Sequence, residues 1–396
     1  MTRIEVPELG VLRCALTPEQ GRRLAGSGVL DATPSPEDPG LWDLRARGRV
    51  GVARVGDVEV WIPPKLPIDR LLFLAGYARK PDGWREEIVG LEPHRELVPA
   101  VAQALWRLVE RALRPGLLQG YHTVEESAMV LRGRLREADQ LRRHHGRPLP
   151  MEIRHDDFSV DIAENQILLA AITRLLTVPR IDAESRLRLS ALRARLAAVT
   201  TLVRGTELPR WHPTRLNLRY QAALRLAEIV WRACSPEHTA GAVATSGFLF
   251  NLPLLFEDFV ATALAEALAA RAPGLASPQH RCHLDEAGAV RMKPDLVWEQ
   301  GGRPVAVVDA KYKRETPAGY PDADLYQMLA YCTALALPRG HLVYAQGGVE
   351  PARHVVRHTR IEIVCHALNL ALPPAALLAA VARLAEELVA VDTAAA

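Results

Sequence analysis

Apolar and polar positions follow two periods along this chain, and the changes of period mark its elements. Val50 to Val55 and Val58 to Ile62 are short β-prone runs around Gly56-Asp57, a pair suited to a type I′-like turn, so a hairpin is expected there. Residues 1–80 alternate such runs with Gly and Pro until Pro63-Pro64 and Pro67 end them, which predicts a β-rich module. The spacing then lengthens to three and four residues. Residues 68–78 and 96–114 read as amphipathic helices, the second stopped by Pro115-Gly116. Residues 160–234 read as mostly helical, with Ile167, Leu168, Ala171, Ile172, Leu175 and Leu176 at helical spacing. The polar, Gly-containing residues 235–247 are the best linker.

Beyond that linker the order reads helix 251–270, strands 279–285, 290–298 and 304–312, and helix 322–336. Strands 341–346 and 360–365 and a last helix, 373–391, complete it. Such interleaving implies the α/β (α+β) class, with a mixed sheet flanked by helices. Three regions are expected: the β-rich module 1–80, a mainly helical middle 81–240, and a terminal domain 241–396.

Candidate chemistry lies in the terminal domain. Met292-Lys293-Pro294-Asp295 precedes Asp309-Ala310-Lys311, with Gly301-Gly302 almost midway. If Gln300 faces Arg303 across that turn, Asp295 faces residue 308, one register step from Asp309. Asp309 and Lys311 share a strand face, and Ala310 points away. Asp309 ends the apolar run Val305 to Val308, and a carboxylate entering a buried sheet edge needs a cation to offset its desolvation. Lysine is scarce here, with five in the chain, and a compact ammonium can touch a single water or phosphate oxygen. Two acids and an ammonium could hold a divalent metal against a phosphodiester; the plainer reading is two surface charges on a hairpin. Glu257 and Asp258 fall in the first turns of a helix, where acids also suit the helix dipole. Gln327 and Tyr331, four apart, share a helix face.

Taken in order, Glu257, Pro294-Asp295, Asp309-Ala310-Lys311 and the Gln327–Tyr331 pair resemble the PD-(D/E)xK nucleases of the subtype with a Gln-x-x-x-Tyr motif. From about Gly48 to Leu368 the chain resembles the McrC family, the nuclease subunits of McrBC modification-dependent restriction systems. Val60 to Lys65, Leu131 to Leu135, Asp161 to Leu168 and Asn251 to Glu257 carry that likeness. The resemblance implies a restriction-endonuclease-like terminal domain that hydrolyses double-stranded, modified DNA, such as 5-methylcytosine DNA in phage defence. It implies Mg²⁺ (or Mn²⁺) held by Asp295, Asp309, the Ala310 carbonyl and Glu257, with Asp258 as the alternative to Glu257. One-metal and two-metal versions both stay open. Lys311 would position the attacking water, and Gln327 and Tyr331 would steady the site or the DNA backbone. It also implies a McrB-like AAA+ GTPase ring docked on the β-rich module, with Arg45, Arg47, Arg49 and Arg54 as contributors. A stand-alone RecB-like repair nuclease and a non-catalytic, motor-activating adaptor are the rival readings.

Composition narrows these readings. At 396 residues and 49% hydrophobic content the chain can build two or three cores. Its five scattered cysteines and the absence of an apolar opening segment or a bilayer-length uncharged stretch lead us to expect a cytoplasmic protein without membrane contact. A net charge of +3 argues little by itself. Locally, residues 132–154 gather Arg132, Arg134, Arg136, Arg142, Arg143, Arg147 and Arg154 with His144 and His145. That segment could track a phosphate backbone, meet an acidic protein, or form a solvated face. His280, Cys282 and His283, and Cys365-His366, lack the paired spacing of a structural zinc site. No Gly-rich loop ending in Lys-Ser or Lys-Thr occurs, so nucleotide chemistry would fall to a separate motor.

Overall fold

Pairing between strands far apart in sequence organises this structure, a computed structural model that describes residues 2–78, 96–203, 206–234, 245–314, 321–346 and 351–389. These fall into two units, Met1–Leu97 with Pro236–Ala396, and Val98–Ser235. The module expected at 1–80 and the domain expected at 241–396 thus belong to one unit.

The N-terminal part holds strands β1 (Thr2–Glu5), β2 (Leu12–Ala15), β3 (Asp31–Pro34), β4 (Leu41–Arg45), β5 (Arg49–Val55) and β6 (Val58–Ile62). Helix α1 (Pro18–Ala25) follows β2, and α2 (Ile68–Tyr77) follows β6. A capping box starts α1: Gln20 N–H donates to Thr17 Oγ1, and Thr17 N–H donates to Gln20 Oε1. The expected hairpin is β5–β6, with Val55 opposite Val58. Of the two loop residues, Gly56 takes a positive φ of 60° and Asp57 does not. That is the type II′ pattern, with Gly at the first central position, rather than the type I′ expected.

The inserted unit runs α3 (Leu97–Leu113), β7 (Gly120–Ala128), β8 (Arg134–Leu135), α4 (Glu137–His144), β9 (Met151–Ser159), α5 (Ala163–Leu175), α6 (Ala183–Arg195) and α7 (Gln221–Ala233). Helix α5 buries Ile167, Leu168, Ala171, Ile172 and Leu175, as the pattern predicts. The sheet β7-β9-β8 was not foreseen. Its strands carry Glu125, Glu126, Arg154, Asp156 and Asp157 and are largely exposed, so they lack the apolar alternation that announces a strand.

The chain then forms β10 (Thr245–Asn251), α8 (Leu252–Ala269), β11 (Leu275–Pro278), β12 (Cys282–His283), β13 (Arg291–Met292), β14 (Leu296–Gln300) and β15 (Arg303–Arg314). It closes with α9 (Asp322–Ala334), β16 (Arg339–Gln346), β17 (Ala352–Val355), β18 (Glu362–Ala367) and α10 (Pro374–Val389). Two expected strands, 279–285 and 290–298, are each broken or shifted, and β17 is additional. Most of the expected linker, residues 235–244, lies outside the described residues, as do the last two residues of the expected helix 373–391; residues 245–247 open β10.

Strand β10 pairs antiparallel with β5, from Thr245 opposite Val55 to Asn251 opposite Arg49. At its end Asn251 caps α8, its Oδ1 accepting from Leu254 N–H at 3.3 Å, with Pro253 in the first turn. The larger sheet has the order β11-β14-β15-β16-β18-β17, with β15-β16 and β16-β18 parallel. On one face Leu296, Trp298, Ala306, Val308 and Ala310 pack against Phe256 and Phe259 of α8, Leu377 and Val381 of α10, and Phe73 and Tyr77 of α2. On the other, Val297, Val307, Leu342 and Tyr344 pack against Met328, Tyr331 and Cys332 of α9. Strand alternation sends Asp309 and Lys311 to the α9 face, two and four residues after Val307.

Candidate active site

The β14–β15 hairpin sets the geometry. Gly301 and Gly302 have φ of 57° and 76°, the two positive values a type I′ loop demands, and Gln300 pairs with Arg303 as expected. Regular pairing then fails: Glu299 faces Pro304, but Trp298 faces Ala306, leaving Val305 as an extra residue. Pro304 has no N–H to give the ladder, and a bulge beside it accommodates that loss. The extra residue puts Leu296 opposite Val308. Asp295, one step earlier, therefore stands opposite Asp309, not opposite residue 308 as a regular hairpin predicts.

Both acids are buried, Asp295 at 8% and Asp309 at 2% exposure. Asp295 Oδ2 accepts from Ala310 N–H at 2.8 Å, and Oδ1 accepts from Gln279 Nε2–H at 3.2 Å. A strand residue turns its N–H and C=O to the same side, so the Ala310 carbonyl also opens toward Asp295. Asp309 Oδ2 pairs closely with the Lys311 ammonium.

Burial, then the charge of Asp295, pushes the Asp309 carboxyl up to about 6. Burial also raises Asp295. For Lys311 burial works downward, but Asp309 overcomes it and the ammonium is held above its ordinary range. Glu257 on α8 is raised to about 7 by burial first and by Asp295 next, with Asp309 adding to it. Asp258 beside it is exposed. Glu257 is thus the helix acid within the field of the pair.

On α9, Gln327 Nε2–H donates to Tyr331 Oη at 2.9 Å, and the Tyr331 hydroxyl donates to the Lys293 carbonyl at 3.4 Å. Burial and Asp309 raise the Tyr331 hydroxyl. Its proton is fixed, which makes it a donor rather than a base.

Two residues of this neighbourhood escaped the sequence reading. Asp324, in the first turn of α9, is 4% exposed and accepts from Lys313 Nζ at 2.8 and 3.2 Å and from the Tyr344 hydroxyl at 3.2 Å. A signal existed: it lies one turn before Gln327, and Lys313 lies one alternation past Lys311. Gln279 gave none, because its contact with Asp295 depends on how β11 docks along β14.

Among the described residues no three carboxylate, imidazole or thiol side chains converge closely enough to form a ready-made ion cage. The donors at hand are an opposed carboxylate pair and a carbonyl. All are oxygens, the set that hard divalent cations take.

Most of the other candidate residues have partners of their own. Arg136 pairs with Glu125 at 2.9 Å and with Asp139, Arg142 with Asp139, Arg143 with Glu152 at 3.1 Å, and Arg154 with Glu125 at 2.5 Å. Four arginines of the basic segment are thus paired with Glu125, Asp139 and Glu152, while Arg132 and Arg134 are exposed. In the N-terminal part Arg45 approaches Asp43 at 4.0 Å, Arg47 pairs with Asp31, and Arg54 approaches Glu59 at 3.6 Å. Arg49 and Arg54 lie five apart on β5 and so on opposite faces, which does not gather the four arginines on one surface.

A model of the protein family described as McrBC 5-methylcytosine restriction system component matches residues 44–345. No curated protein matches the chain. Among solved structures, the fold is similar to a chain of the refined half-complex from the tetradecameric assembly of Thermococcus gammatolerans McrB AAA+ hexamers with bound McrC. That match has a TM-score of 0.60 and 18% identity, covering 98% of this chain and 100% of that one. A chain of the cryo-EM structure of the Thermococcus gammatolerans McrBC complex matches with a TM-score of 0.40 and 20% identity, over 67% of this chain and 88% of that one.

Proposed function

The chain belongs to the family of McrBC 5-methylcytosine restriction system components, and from that premise we propose that it is the Mg²⁺-dependent DNA endonuclease subunit of such a system. One observation carries the reading: Asp295 and Asp309 stand opposite each other across a bulged hairpin, buried, with Lys311 on the face of Asp309. Burying two facing carboxylates is costly unless a cation joins them. On this reading the hairpin is of the PD-(D/E)xK kind.

In the proposed mechanism Asp295, Asp309, the Ala310 carbonyl and Glu257 would hold Mg²⁺ (or Mn²⁺). The ion, when bound, supplies charge stabilisation at the phosphoryl group and a more acidic water. Lys311, freed from its pairing with Asp309, orients the attacking water and offsets charge on a phosphate oxygen. The Gln327 amide and the Tyr331 hydroxyl hold the site's outer edge and present donors to the DNA backbone. Glu257, pushed up to about 7 by burial and then by Asp295, shares its time between the neutral and charged forms at neutral pH, and a bound cation would favour the charged one.

The solved relative is described with McrB AAA+ hexamers, and we carry that partnership to this chain as part of the proposal: a McrB-like AAA+ GTPase ring supplies nucleotide hydrolysis, and this chain supplies cleavage of modified double-stranded DNA. The setting proposed is cytoplasmic. The cysteines Cys14, Cys234, Cys282, Cys332 and Cys365 are all free, and among the described residues no helix is long and apolar enough to cross a membrane.

The test is cleavage of a 5-methylcytosine-containing plasmid by the purified chain with its cognate AAA+ protein, GTP and Mg²⁺. Asp295→Asn and Asp309→Ala should abolish cutting while preserving capture by the motor. Undiminished cutting by Asp309→Ala would sink this site. Efficient cutting of unmodified DNA by the chain alone, without GTP, would replace the restriction role with that of a stand-alone repair nuclease.

A further inference from the structure

Beyond the residues assigned above, we infer that Gln279 is the positioning residue that fixes the Asp295 carboxylate for a divalent cation; this rests on the metal-site reading just given. Strand β11 pairs with β14 as far as Pro278 opposite Leu296. At the next residue the backbone turns left-handed: Gln279 has a φ of 53°, a region side chains other than glycine and asparagine rarely enter. The turn directs both donors of Gln279 at one residue. Its N–H donates to the Asp295 carbonyl at 2.8 Å, and its Nε2–H donates to Asp295 Oδ1 at 3.2 Å.

The Ala310 N–H already occupies Oδ2 at 2.8 Å. Each carboxylate oxygen therefore receives one donor, and the two donors come from different segments. The plane of the carboxylate is fixed, and each oxygen keeps a lone pair for a cation. Residues that orient metal ligands in this way commonly hold them by the lone pair the metal does not use. The loop itself is anchored, since Ser277 Oγ and His280 Nδ1 lie 3.0 Å apart and His280 Nδ1 lies 3.5 Å from Glu299. A neutral amide suits the task. A carboxylate at 279 would repel Asp295, and an ammonium would compete with the cation.

The test reads cation binding directly, by electron paramagnetic resonance titration of Mn²⁺ into the full chain without DNA or nucleotide. Gln279→Gly removes the amide but relieves the left-handed backbone, so its melting temperature should hold or rise while the Mn²⁺ dissociation constant increases about tenfold or more. Gln279→Asn, which keeps an amide and tolerates the same φ, should recover part of that loss. Binding by Gln279→Gly equal to wild type would overturn the inference while leaving the nuclease reading intact. Failure of the wild-type chain to bind Mn²⁺, with Asp295→Asn indistinguishable from it, would overturn both.

Discussion

The Tyr312 hydroxyl donates to Glu8 Oε1 at 3.0 Å, tying the strand of Asp309 and Lys311 to a segment that opens the chain. Glu8 is 2% exposed, and its other carboxylate oxygen accepts from Lys65 N–H at 2.8 Å. The Tyr312 ring also meets Phe256 of α8 edge-on at 6.1 Å. Tyr312 points away from the α9 face, so it supports the site from behind. Replacing Tyr312 by Phe leaves a buried carboxylate oxygen short of a donor, which costs about 1–3 kcal/mol. Urea denaturation should show that loss, and a stability change within error would remove this contact from the fold's supports.

Asp309 is expected to be essential for cutting and a burden on the metal-free fold. Burial disfavours its charge, and the facing Asp295 opposes it. Asp309→Asn should abolish cleavage yet raise the melting temperature measured in chelator by a few degrees. Functional sites commonly carry such a cost. A lower melting temperature for the variant would mean that the Lys311 pairing outweighs the repulsion.

The pH dependence follows from the raised acids. Burial pushes Glu257 up to about 7 in the fold from an ordinary 4.5, and Asp309 up to about 6 from an ordinary 3.8. Between those values the folded chain holds protons that the unfolded chain has lost, so the stability these groups contribute falls as pH rises from about 4 to about 7. The buried His341–His366 pair, 2.9 Å apart, has depressed values and works the other way, losing stability as pH falls. Comparing wild type with Glu257→Gln in chelator isolates the acid. The variant should gain melting temperature relative to wild type as pH is raised from about 5 to about 8. A constant difference across that range would mean that neither burial nor Asp295 raises Glu257.

Asp324 anchors the start of α9 to β15 and β16. Lys313 is half-exposed and keeps part of its hydration when unpaired, whereas Asp324 does not. Lys313→Ala, which strands a buried carboxylate, should therefore destabilise more than Asp324→Asn, which leaves a neutral partner for Tyr344. Truncating one side of such a pair costs about 1–3 kcal/mol at this degree of exposure. Equal losses in the two variants would contradict the asymmetry.

Much of the site was legible because the hairpin announces itself. Gly301-Gly302 fixes the turn and hence the pairing of Gln300 with Arg303. The bulge at Val305 was not read, although Pro304 marked where a regular ladder had to give way. That single residue separates an acid pair in direct opposition from one offset by a step. Gln279 was illegible because its partner lies on a neighbouring strand, and no local pattern specifies a left-handed glutamine. The sheet β7-β9-β8 was hidden for another reason: its strands are mostly solvated, so their side chains carry charge where a buried strand would alternate. Burial writes the periodic signal, and elements that bury little leave little of it.

The seam between β5 and β10 bears on how this protein can be taken apart. A fragment of residues 241–396 would keep every acid proposed for cutting, but it would bare the edge of β10 and strip α8 of Phe73 and Tyr77. Such a piece is expected to clump rather than cut, as uncovered strand edges recruit one another. Whatever grips the first strands of this chain is therefore gripping part of the same folded body that shelters the acids, and dissection by truncation would mistake a lost scaffold for a lost enzyme.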